Sequence, residues 1–402
     1  MGLTEVPSTA DVINSAGRIA DASPTMSANG MDRLLPPNGG LALRAHRLKQ
    51  EKQPMTNEQS TQTFASIGID IGKDVFQIVG FDASGKVVLR KKFKRLALEA
   101  ELAKLQPSIV GLEACLSAHF VSRTLRRLGH TPRIIPAIYV KPFAKGQKND
   151  YNDAEAIAEA ALRPNLRVVR EKTQDQLDLQ ALHRVRARLV SRRTATINQI
   201  RAFLIEHGIA VRTGANALRS SLFAILEKRA DELSPRMIDL IVGLHEDWQR
   251  LDERIDTLTG EIEEISQTET NCRRLMSVPG IGPIISTAMV AAIGSGEAFE
   301  RGRDFGAWLG LIPRQYSTGG RPILGRLSKR GSKYLRTLFI QAANVILMRP
   351  QNWERFSFGP WLSGAAARMH RNKLAAALAN KLARIAWSVL RHNKRFDEAL
   401  TV

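Results

Sequence analysis

From residue 64 onward the chain sets short apolar runs between turn signals, the period of strands rather than of helices. FASIGIDIG (64–72), VFQIVGFD (75–82) and KVVLRKKF (86–93) are rich in β-branched and aromatic residues. Ala83, Ser84 and Gly85 supply a hairpin loop between the last two. A helix is expected near 95–105, a strand at SIVGLE (108–113), a helix near 117–129, a short strand at RIIP (133–136) and an Ala-rich helix over 151–162.

Three antiparallel strands followed by alternating strands and helices is the order of a ribonuclease-H-like (RuvC-like) α/β domain, assigned here to 61–171. The spacing then becomes helical. Leu240, Leu244, Leu251, Ile255, Leu258, Ile262 and Ile265 step by threes and fours, with Trp248 filling the one gap of seven. This coiled-coil-like seam defines a helical linker over 172–268, either an intramolecular helical hairpin or a dimerisation arm. The arginine-rich stretch HRVRARLVSRRTATINQIR (183–201) reads as a nucleic-acid track or a solvated face. SVPGIGPIISTAMVAAIG (277–294) opens a helical domain over 269–360. There Gly280 and Gly282 form a turn feeding a small-residue helix, the pattern of a helix-hairpin-helix that grips a phosphate backbone, or of a plain inter-helix turn. Residues 361–402 form a basic helical tail. Residues 1–60 lack periodicity and are rich in Ser, Ala, Asn, Gly and Pro, so a disordered extension is expected, and Met55 is an alternative start.

Charge narrows the partner. The 402 residues carry a formal net charge of +20, and from 301 to 402 there are 19 Lys and Arg against 4 Asp and Glu, a net of +15. Such an excess neutralises phosphates and releases counterions, which points to nucleic acid. Membrane attraction is the weaker alternative and no membrane partner is expected, because the longest apolar run, IISTAMVAAI (284–293), falls short of the roughly 18–20 residues that span a bilayer. Cys115 and Cys272 show no metal or disulfide spacing, which fits a reducing cytoplasm.

Four carboxylates supply candidate chemistry within this basic chain. Asp70 and Glu113 close apolar strands, and Asp150 and Asp153 stand three apart on one face at the start of the 151–162 helix. Each has a plainer reading: a turn residue, a strand end, a helix cap or a first-turn acid. Together they can hold two Mg²⁺ ions roughly 3.5–4 Å apart across a scissile phosphate. Further along, Ser317 sits in a Gly-rich loop among Arg314, Arg321, Arg326, Lys329, Arg330, Lys333 and Arg336, a positive field suited to phosphate. A serine there is either a nucleophile or a turn residue.

The segments IGIDIGK, GLEA, KNDYNDAEAIA, VPGIGP and GLIPRQYSTGG…LGRLSKRGSKYLR resemble, in this order, the insertion-sequence transposases of family 110. Those combine a RuvC-like DEDD domain with a serine-bearing transposase domain and are related to the pilin-gene invertases. LIPRQYSTGG looks like the 1111 branch, and the likeness covers about 64–345. It implies that Asp70, Glu113, Asp150 and Asp153 bind Mg²⁺ and that Ser317 attacks a DNA phosphate to form a covalent phosphoserine. Thr318 carries a second hydroxyl beside it. The resemblance also implies a guide non-coding RNA from the element and a homo-oligomer, dimer or tetramer, acting near the nucleoid.

Three rivals remain on the residues alone. A RuvC-like junction resolvase would use metal-activated water and no Ser317. An actin-like ATPase would share GIDIGK but requires a second Asp-Gly phosphate loop, which the chain lacks. A nucleic-acid-binding protein without activity would have acids that do not converge.

Overall fold

The structure, a computed structural model, describes residues 63–146 and 149–396 and divides at Glu171/Lys172 into two compact units. The expected disordered extension and the alternative start at Met55 lie outside the described residues.

In the first unit, β1 (Ser66–Ile71), β2 (Val75–Phe81) and β3 (Val87–Lys94) form an antiparallel meander. Next come α1 (Leu98–Leu102), β4 (Ile109–Glu113), α2 (Ala118–Arg127), β5 (Thr131–Ile135), α3 (Ala137–Val140) and α4 (Asp150–Ala161). β4 joins β1 in parallel and β5 joins β4, giving the order β3-β2-β1-β4-β5. Alternation sorts the side chains. Ile67, Ile69, Phe76, Ile78, Val110 and Leu112 share one buried cluster with Leu98 and Leu102 of α1 and with Val121 and Leu125 of α2. The opposite face takes α4, and glycine permits the approach. A Cβ on Gly68 would stand 2.0 Å from the Ala154 carbonyl oxygen, and one on Gly111 2.8 Å from that of Ile157.

The second unit opens with α5 (Gln174–Glu206), started by a reciprocal capping box between Thr173 and Gln176. After α6 (Ala215–Lys228), α7 (Pro235–Thr268) runs back along α5. The seam expected over 240–265 is therefore occupied within the chain. Leu251 and Ile255 pack with Leu189, and Trp248 packs with Ile197, Ile200 and Leu204. Leu240, placed in that seam by spacing, is 51% exposed. Two arginines of the expected nucleic-acid track are also inside: Arg186 Nε donates to Thr259 Oγ1 at 2.7 Å, and Arg193 pairs with Asp252 at 2.9 Å. Arg184, Arg188 and Arg192 stay exposed at four-residue spacing, on one helix face.

The remaining elements are α8 (Thr270–Leu275), α9 (Pro283–Ile293), α10 (Gly302–Trp308), β6 (Pro313–Thr318), β7 (Arg321–Leu327), α11 (Lys333–Leu347), α12 (Gly359–Ala366) and α13 (Arg371–Arg391). Two features differ from the sequence expectation. A β-hairpin interrupts the domain read as helical. And α13, within the segment read as a basic tail, is core: Leu374, Leu378, Leu382, Ala386 and Leu390 form an apolar stripe packed with Phe305 and Phe339, while its charges lie on the other face.

One buried group makes the helical unit sensitive to acid. His183 on α5 is 3% exposed between Tyr334 Oη, 3.1 Å from Nδ1, and Thr287 Oγ1, 3.0 Å from Nε2. Burial, then the charge of Arg186, pushes it down to about 4 from 6.5. The unfolded chain thus takes up this proton first, so the contribution is intact above pH 6.5 and is lost as pH falls toward about 4. On the order of 3 kcal/mol should disappear across that window. Urea unfolding at pH 7 and pH 4 measures it, and His183→Gln should flatten the difference.

Candidate active site and nucleic-acid interface

The acids are gathered by how α4 lies on the sheet. Ser66 Oγ donates to the Ala158 carbonyl at 2.9 Å, and Gly68 faces Ala154 and Ala158. Each two-residue step along β1 thus moves toward the start of α4, and the next same-face residue is Asp70. Glu113 follows Leu112, the parallel partner of Ile69, so Asp70 and Glu113 end neighbouring strands on the α4 face. Asp150 and Asp153 occupy the first turn of α4, whose cap is Asn149, its side chain accepting from the Tyr151 amide. The first-turn acids also complement the helix dipole.

One hydrogen bond and one electrostatic effect link members of the set. Gln77, directly opposite Asp70 in the β1–β2 ladder, donates from Nε2 to Asp150 Oδ2 at 2.5 Å. Cys115, two residues beyond Glu113, has its thiol pushed up by partial desolvation and then by the charges of Glu113 and Asp70, so both carboxylates act on one spot. Arg95 borders the site, donating to the carbonyls of Gly72 and Lys73 and to Ser117 Oγ. Lys92 stands opposite Gln77 on β3, so one cross-strand row runs Lys92, Gln77, Asp70, with Glu113 beside it.

The donors suit a hard divalent cation, being carboxylate oxygens at one end of one sheet face. Among the described residues, no three His, Cys, Asp or Glu side chains stand close enough to hold a metal ion between them. The backbone brings the positions to one end of the sheet face without bringing three such side chains around a single point.

Ser317 lies in β6, not in a loop. Gly319 and Gly320, at φ of 55° and 76°, make a two-residue turn that lets pairing run to Thr318 and Arg321. Strand alternation puts Ser317 on the face of Gln315, whose Nε2 donates to Ser317 Oγ at 2.7 Å, and turns Thr318 to the face of Tyr316. Every residue from Pro313 to Arg326 is exposed, including Arg314, Arg321 and Arg326. The base of the hairpin is tight by contrast. A Cβ on Gly310 would meet the Arg330 backbone at 2.5 Å, and one on Gly331 the Trp308 carbonyl oxygen at 1.7 Å.

The other expected phosphate contacts divide. Lys329, Arg330 and Lys333 are exposed near the hairpin base. Arg336 is used internally, donating to the carbonyls of Leu309 and Arg330 at 2.8 and 2.9 Å. Gly280, at φ of 80°, turns the chain between α8 and α9, and its neighbours Val278 and Ile281 are buried. Gly282 precedes Pro283 as the cap of α9 and has open space where a Cβ would stand.

Sequence reading passed over Gln77, Lys92 and Arg95. The signal for the first was present: once Lys73-Asp74 is taken as the two-residue turn, counting back pairs Gln77 with Asp70.

An α/β unit with acids at one end of its sheet, followed in the chain by a basic helical unit with an exposed hairpin, suits an enzyme that acts on DNA, and the comparisons give its class as transposase. Residues 67–208 match the DEDD transposase model and residues 272–357 that of the transposase IS116/IS110/IS902 family. The chain is 44% identical to a probable family 20 transposase of Pseudomonas aeruginosa, over 81% of this chain and 96% of the relative. It is 41% identical to the transposase for insertion sequence element IS1328 of Yersinia enterocolitica, over 83% and 98%. It is 37% identical to that for IS1111A of Coxiella burnetii, over 90% and 98%. The chain belongs to the IS110/IS116/IS902 family of insertion-sequence transposases, enzymes of DNA cleavage and strand transfer. Among the described residues no helix is long and apolar enough to cross a membrane.

Proposed function

We propose that the chain moves its insertion sequence by Mg²⁺-dependent strand cleavage and exchange through a covalent phosphoserine, with a ribonuclease-H-like first unit holding the metals. The observation that carries this reading is the approach of Asp70, Glu113 and the first turn of α4 at one end of the sheet. Asp70, Glu113, Asp150 and Asp153 would bind the Mg²⁺, which when bound withdraws charge from the attacked phosphate. Ser317 Oγ forms a bond to phosphorus as one bridging P–O bond of the backbone breaks. The serine proton is released, and the departing oxygen takes one up. Reversal by a new DNA hydroxyl conserves the phosphodiester, so no nucleotide triphosphate is consumed.

Arg314, Arg321, Arg326, Lys329, Arg330 and Lys333 hold DNA backbone near the serine, and the turn at Gly280 and Gly282 adds a helix-hairpin-helix grip. An element-encoded RNA selects the sites, and the protein works as a homo-oligomer in the cytoplasm. Reconstitution tests the whole: donor ends, target, Mg²⁺ and element RNA should yield insertion product, and leaving out the RNA should abolish it. Product in equal amount without RNA overturns the guide. DNA affinity should fall linearly on a log–log salt plot with a slope of several phosphates, and Arg314→Ala with Arg321→Ala should lower that slope by about two. A salt-independent affinity would contradict the polyanion reading.

The second reading is a metal-dependent resolvase with water as nucleophile. It is favoured by one fact: the acids all belong to the first unit, and Ser317 to the second.

A further inference from the structure

We propose that Gln77 is a positioning residue of the acid site, coupling Asp150 to a bound divalent cation through both ends of its amide; this rests on the metal-binding reading above. Gln77 lies in the middle of β2, directly opposite Asp70, with its side chain on the face that carries Asp70 and Glu113. It is 8% exposed in a strand whose neighbours Phe76, Ile78 and Val79 are fully buried. An apolar residue would fill this position without desolvating an amide, so the polar group needs partners.

One partner is Asp150. Nε2 donates to Asp150 Oδ2 at 2.5 Å. That bond also fixes which way the amide points, because an ionised carboxylate only accepts. The oxygen end is consequently set, and Oε1 is a buried acceptor with no hydrogen-bond partner among the described residues. It shares its carbon with the nitrogen that holds Asp150, so it sits beside the same carboxylate. A neutral amide oxygen is a hard donor of the kind Mg²⁺ and Mn²⁺ accept, directly or through a coordinated water. With a cation among the acids, Nε2 holds Asp150 and Oε1 completes the oxygen shell. The residue thereby joins the helix acid to the strand acid it faces.

The probe is Mn²⁺ alone, titrated into the full chain and followed by the loss of the free-ion electron paramagnetic resonance signal. Wild type should bind saturably, and Asp70→Ala should remove that binding. Gln77→Met keeps the length and apolar stem but neither polar atom, and should weaken Mn²⁺ binding about ten- to a hundredfold with the far-UV circular dichroism unchanged. A merely structural glutamine would lower the melting temperature of Gln77→Met and leave its Mn²⁺ affinity at the wild-type value, and that result overturns the inference. If Gln77→Met does not fold, Gln77→Asn carries the same expectation, because it keeps the amide one methylene short of Asp150. Wild-type Mn²⁺ affinity in a folded Gln77→Asn would overturn the proposal equally. A wild-type chain that shows no Asp70-dependent Mn²⁺ binding overturns the metal reading itself, and the role of Gln77 with it.

Discussion

Asp70→Ala and Asp153→Ala are each expected to reduce strand cleavage on the order of a hundred- to a thousandfold while DNA binding stays at or slightly above the wild-type level. The asymmetry follows from charge. On the proposed reading each carboxylate would help to hold the cations that stabilise charge developing on the attacked phosphate, an effect of that size when one such stabilising group is lost from a preorganised site. In binding alone the same carboxylate repels the DNA backbone, so its removal costs nothing there. Asp70 is reached through β1 and Asp153 through the first turn of α4, so equal loss in both tests whether the two elements serve one site. Cleavage is followed on labelled duplex and binding by gel shift at fixed salt. Retention of wild-type cleavage by either variant would remove that residue from the site.

Ser317→Ala should abolish both the covalent adduct and recombination, leaving Asp70-dependent Mn²⁺ binding unchanged, because the acids and the serine lie in different units. Thr318→Ala should lower activity only a fewfold, as its hydroxyl lies on the opposite face of the hairpin from Gln315. A denaturing gel of a nicked substrate, run with and without protease, reads the adduct. An adduct that survives in Ser317→Ala and disappears in Thr318→Ala would move the nucleophile by one residue. DNA cut in Mg²⁺ with no adduct from any variant would make water the nucleophile and favour the resolvase.

The first unit was legible because its information is local. Period-two runs and turn residues mark β1, β2 and β3, and an acid closing an apolar strand, as Asp70 and Glu113 do, is visible without a partner. What brings the acids together was not visible, since it depends on Gly68 and Gly111 admitting α4 to the sheet, a contact between segments some 40–90 residues apart. The arginines of α5 misled for the same reason. Arg186 and Arg193 carry the composition of a surface track, yet Thr259 and Asp252 on α7 draw them inside. In α13, basic residues outnumber acidic ones and obscure the stripe from Leu374 to Leu390 that packs the core. The β6–β7 hairpin escaped notice because Gly319-Gly320 reads equally as loop or as tight turn, and only φ values decide between them.

That hairpin makes the choice between two neighbouring hydroxyls a matter of register. Ser317 pairs with Pro322 and Thr318 with Arg321, and the irregularity between Pro313 and Gln315 pins this alignment from the base. A slip of one residue would carry every side chain of β6 to the other face, exchanging one hydroxyl residue for the other on a given face without any change of sequence. On the serine reading proposed above, inserting or deleting a single residue in the turn would be equivalent to moving the nucleophile. The ladder of backbone hydrogen bonds acts as the ruler that sets which of the two hydroxyls shares a face with Gln315.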